Sequence, residues 1–73
     1  MLVGDLIYNN EFDCNCNYVV YDCTEEGKQW GNDEDIIHST KRDGSSKPLD
    51  SVLDMKIKYI TTNDNMIIIE ATK

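Results

Sequence analysis

The sequence predicts one α+β domain spanning residues 1–73: a small, mainly antiparallel sheet of four or five strands with one or two short helices. Three observations carry this reading. "NYVVYDC" and the later runs "MKIKYITT" and "MIIIEA" are rich in β-branched and aromatic residues. "NDN", between the last two runs, tolerates positive φ and reads as a hairpin turn. Finally, 73 residues with 40% apolar content support a single small core. The alternative architecture is a small SH3-like barrel with "VGDLIY" as its first strand.

The first segment admits two readings. Asp5 can cap a short helix with Leu6, Ile7 and Phe12 facing inward. Alternatively "LVGDLIY" is a strand with Leu2, Leu6 and Tyr8 on one face. The helix is the preferred form for residues 4–12. In "NYVVYDC", alternation sets Tyr18 and Val20 on one face and Val19, Tyr21 and Cys23 on the other. "TEEGK" should reverse the chain, with Gly27 in the left-handed region, so that Gln29 and Trp30 begin a returning strand. "GNDED" breaks that strand and "DIIHST" forms another.

"KRDGSSKP" is the strongest loop signal in the chain. After Pro48, the spacing of Leu49, Val52 and Leu53 suits a turn or two of helix. The run "MIIIE" puts apolar side chains on both faces of its strand, so that strand must be covered twice: it is central, or it belongs to a subunit interface.

Charge is unevenly spread in a chain of net charge −7. Residues 1–40 hold nine acids against Lys28 alone, a balance of −8, and residues 41–73 hold six bases and five acids, a balance of +1. Such an acidic half repels phosphate, which disfavours direct nucleic-acid binding; a solvated face is its plainest meaning. No stretch approaches the ~20 apolar residues of a membrane span, and the start lacks the basic flank and apolar run of a secretory signal. Three cysteines cannot all pair within one chain, so they read as reduced thiols in a cytoplasm.

Few residues suggest chemistry. In "DCNCNY", Cys14 and Cys16 point to the same side of an extended chain, and Cys23 with His38 would complete four zinc ligands. No C-x-x-C knuckle is present, however, and every Cys and His would be consumed. The plainer reading makes Cys23 a small core residue, with Cys14 and Cys16 in a turn. Asp13, Asn15 and Asn17 begin a calcium-loop pattern, but Tyr18 stands where glycine is required and Thr24 where an acid is required, which excludes it. His38 has no marked nucleophile beside it, the carboxylates form no distinct pair, and the glycines are scattered, so neither catalysis nor a cofactor is expected. Trp30, flanked by acids including Asp33, Glu34 and Asp35, either plugs the core or anchors a partner; these four residues are the candidate interaction surface.

The stretches "VGDLIYNNEFDCNCNY", "YDCT" and "KIKYITTNDNMIIIE" resemble the small uncharacterised proteins of low-GC Gram-positive gut bacteria and of their phages and mobile elements. That resemblance implies an intracellular setting and no particular mechanism. The expected function is therefore a non-catalytic cytoplasmic protein-binding module, acting on a protein partner or as a homo-oligomer, without membrane contact. Two alternatives are an acidic mobile-element inhibitor that mimics nucleic acid, and a zinc-stapled module. The mimic requires Asp22, Glu25, Glu26, Asp33, Glu34 and Asp35 to line one face.

Overall fold

A strand that is apolar on successive residues needs cover on both faces, and β4 (Met66–Thr72) receives it. The computed structural model describes residues 1–7, 17–44 and 48–73. It contains a four-stranded sheet in the order β2-β1-β4-β3, built from β1 (Asn17–Asp22), β2 (Ile36–Ser39), β3 (Lys56–Asn63) and β4. The outer pairings β1–β2 and β3–β4 are antiparallel, whereas the central β1–β4 pair is parallel. Among the described residues, three short α-helices accompany it, α1 (Val3–Ile7), α2 (Thr40–Asp43) and α3 (Asp50–Leu53), with one 3-10 turn at Asp33–Asp35. The α+β reading therefore holds. The barrel alternative does not, because its first strand is α1 and the sheet is open.

Alternation along β1 and β4 sorts the core into two layers. On one face Val20, Ile69 and Ala71 pack with Val3, Val52 and Met55 from α1, α3 and the segment after it. On the other face Val19, Tyr21, Cys23 and Ile68 pack with Trp30, Ile36 and Met66. The second layer is covered by the loop between β1 and β2 rather than by an α-helix. Burying Ile69 alone removes enough apolar surface to contribute about 2 kcal/mol.

Local chemistry sets the ends of these elements. Asp5 does not stand at the cap of α1. It lies inside the first turn, and its carboxylate reaches back to accept the Leu2 N–H at 3.0 Å. Gly4 lets α1 approach α3 closely, since a Cβ there would lie 3.2 Å from the Leu53 carbonyl oxygen. Leu6 and Ile7 face the core as expected, whereas Tyr8 and Phe12 fall outside the described residues. Gly27 adopts φ +80° and turns the chain after β1. Asp64 and Asn65, both at positive φ, close the β3–β4 hairpin in two residues.

Three expectations need correction. Gln29 and Trp30 do not start a strand, because the Trp30 N–H donates to the buried Glu70 carboxylate at 3.0 Å instead of to a ladder. The loop reading of "KRDGSSKP" is too broad: Lys41, Arg42 and Asp43 belong to α2, whose first turn is capped when the Ser39 hydroxyl accepts the Arg42 N–H. Leu49 does not face inward. It precedes α3 and is 75% exposed, while Val52 and Leu53 are buried.

Candidate functional site

The four proposed zinc ligands do not share one described place. Cys14 and Cys16 fall outside the described residues. Cys23 lies in the layer with Tyr21 and Ile68, whereas His38 sits directly across from Val20 and against the Tyr18 ring, on the opposite face of the sheet. Burial pushes the Cys23 thiol pKa up, and the nearby Glu70 carboxylate adds to this. A thiol held in its neutral form is a packing group, not a nucleophile. Among the described residues, no group of three or more His, Cys, Asp or Glu side chains is arranged to hold a metal ion.

The acids converge in part. Asp22, Glu25, Glu34 and Asp35 line one polar cleft with Thr24, Ile37, Lys28 and Lys73. Glu26 and Asp33 are not among its walls. Lys28 stands inside it, 2.9 Å from Asp35 and 3.8 Å from Glu25. That contact with Asp35 raises the Lys28 pKa. Asp22 is held below the ordinary carboxylate range chiefly by the Thr24 hydroxyl, which donates to it at 2.6 Å. Two bases among four acids blunt the field that a nucleic-acid mimic would need. Asp35, proposed as a surface residue, is turned inward, and its Oδ2 is buried without a hydrogen bond among the described residues.

A third feature emerges at the two sheet edges, and they differ. β2 is short, and side chains of α2 take two of its main-chain groups: the Arg42 guanidinium donates to the Ile36 carbonyl at 3.4 Å, and the Asp43 carboxylate accepts the Ser39 N–H at 3.0 Å. The Arg42 guanidinium beside it lowers the Asp43 pKa. β3 is twice as long, with eight residues against four. Among the described residues, only its beginning is covered, where Met1–Val3 runs beside it and the Ile57 N–H donates to the Met1 carbonyl at 2.9 Å. Beyond that point, no described strand pairs with its outer side.

The exposed part of β3 carries two large apolar side chains, Tyr59 at 52% and Ile60 at 42% exposure. They point to opposite faces, since Tyr59 lies across from Glu70 and Ile60 across from Ile69. A bulge at Lys58 breaks the register between Ile57 and Tyr59. The Lys58 ammonium donates to the Cys23 and Lys28 carbonyls at 3.4 and 3.2 Å. A lysine that would otherwise guard the edge is thereby tied back to the β1–β2 loop. Trp30, Gln29, Lys58, Tyr59 and Glu70 then line a shallow hollow beside the edge. Trp30 is half-buried, with its ring centroid 6.4 Å from that of Tyr21.

Sequence reasoning singled out Trp30, which lines this hollow, but not the exposed Tyr59 and Ile60. The available signal was "KIKYITTN", a run with apolar side chains on both faces like "MIIIE", yet with too little apolar content to be buried on both. No family model, curated protein or solved structure matches the chain. Among the described residues, no helix is long and apolar enough to cross a membrane.

Proposed function

We propose that this chain is a non-catalytic protein-binding module that takes an extended segment of a partner onto the outer edge of β3. One observation carries the reading: from Lys58 to Asn63, β3 faces outward with no described neighbour, while displaying Tyr59 and Ile60. Main-chain groups on such an edge supply affinity, and side chains alternating between the faces supply selectivity. The Trp30–Tyr59 hollow is placed to receive a side chain of the added strand.

The experiment is selection of short random peptides on the immobilised chain, followed by amide chemical-shift mapping with those that bind. Binders should move the amide signals of residues 58–63 together with the Trp30 indole. Failure to obtain binders, or shifts confined to the Asp22–Lys28–Lys73 cleft, would overturn the reading. The second outcome would favour the acidic-inhibitor alternative, which the gathering of four acids in one cleft supports and the lysines within it weaken.

A further inference from the structure

We infer that the strand accepted at this edge is β3 of a second copy, paired antiparallel about a two-fold axis at Thr61; this rests on the strand-accepting reading above. An edge with unpaired main-chain groups is completed by another extended chain and poorly by a helix or a rigid surface. A second copy offers two edges, and one is short and partly obstructed: Arg42 takes the Ile36 carbonyl and Asp43 takes the Ser39 N–H of β2. Pairing β2 to β3 would also be head-to-tail and would build rings or filaments, whereas β3 to β3 is self-complementary and stops at two.

Geometry narrows the register. A two-fold that makes strands antiparallel stands perpendicular to the sheet, so each face of one copy continues into the same face of the other. Residues directly opposite must then share a face. Alternation along β3 is unbroken from Tyr59 to Asn63, where each residue in turn pairs with Glu70 through Met66. Thr61 is the midpoint of that stretch, and placing the axis there uses all of it. Ile60 would lie against Thr62 of the second copy on the helix-covered face. On the other face Tyr59 would lie against Asn63 of the second copy. Lys58 would come level with Asp64 of the second copy at each end, so no base opposes a base. The ladder ends before Ile57, where Met1 already sits.

Charge favours this edge over the rest of the surface. Although the chain carries −7, Lys56–Asn63 contains two lysines and no acid. Two copies meeting here approach along their least acidic side. The contact is one strand wide, which places it in the small, concentration-dependent class of interfaces under about 1,200 Å².

The test is sedimentation velocity of the full chain in reducing buffer at physiological salt, from about 10 μM to about 1 mM, the range expected of such weak contacts. The weight-average mass should climb from 8.4 kDa towards twice that value. Thr61→Lys and Thr61→Asp each set like charges against one another on the axis, and each variant alone should stay monomeric. Their equimolar mixture places Lys opposite Asp and should recover association, which also shows that both variants fold. A wild-type chain that is monomeric at about 1 mM overturns the inference, as do single variants that dimerise like the wild type. If the chain is monomeric while selected peptides still shift residues 58–63, only the second copy is excluded. If neither associates, the binding reading falls with it.

Discussion

Ile60 and Ile69 face one another across the β3–β4 ladder, on the same side of the sheet, yet they lie in opposite environments. Ile69 is 1% exposed and sits among Val3, Val20, Val52 and Ala71; Ile60 is 42% exposed. Replacing each with alanine removes the same atoms and the same cross-strand contact, which is worth about 0.2–1 kcal/mol. The remaining difference is burial. At Ile69 the change opens a cavity under α1 and α3 and should cost about 2–5 kcal/mol. Ile60→Ala should cost less than about 1 kcal/mol, as half-exposed sites do. A chain of 73 residues holds roughly 4–11 kcal/mol in total, at about 0.05–0.15 kcal/mol per residue, so the first change consumes a large share of the stability. At about 4–8 °C per kcal/mol, Ile69→Ala should lower Tm by at least roughly 8 °C. Urea unfolding followed by Trp30 fluorescence at low micromolar concentration measures both changes while copies stay apart. The midpoint should fall steeply for Ile69→Ala and barely for Ile60→Ala, with m unchanged. Equal losses would mean that Ile60 is buried within one copy, and the open-edge description would fail.

Other outcomes follow from the same structure. At the hairpin turn, Asn65 has φ +61°, so Asn65→Gly should raise stability by about 0.5 kcal/mol and Asn65→Val should lower it, by thermal unfolding. Cys23 is buried with a raised thiol pKa, so peptide mapping after brief iodoacetamide treatment at neutral pH should find it unmodified in the native chain and modified in urea. Rapid native labelling of Cys23 would contradict its place in the core. Asp22 has a pKa below its unfolded value, so its contribution to stability is present above the ordinary carboxylate range and is lost as pH falls through the lowered value. Asp22→Asn should therefore flatten the acid limb of a stability-versus-pH curve; an unchanged limb would show that the Thr24 contact does not favour the folded state.

The edge contrast also bears on how a chain this small avoids aggregation. β2 is capped by its own following turn, through residues adjacent to it in sequence. β3 has a bulge and two lysines, devices that usually guard an edge, but the bulge directs Lys58 onto the loop carbonyls. The guard is spent on anchoring the loop that covers Cys23 and Tyr21. Among the described residues, the regular stretch from Tyr59 to Asn63 is left without a neighbouring strand as a result.

Much of this fold was legible before any coordinates. The two faces of β1, the left-handed turn at Gly27, a hairpin turn within "NDN" and the double cover of β4 are local consequences of side-chain alternation, β-branching and tolerance of positive φ. Each is decided within a few residues, which is why reading the chain sufficed. What lay beyond it were pairings between distant segments. Trp30 reads locally as the start of a strand, yet its N–H is taken by a carboxylate forty positions away at Glu70. Cys23 and His38 look like ligand partners until pairing with Val20 puts the imidazole on the far side of the sheet. Ile60 and Ile69 are the same residue in similar strands. Only the strand order makes one an outer edge and the other a core, because burial depends on what the rest of the chain packs against each face, and no local pattern encodes that.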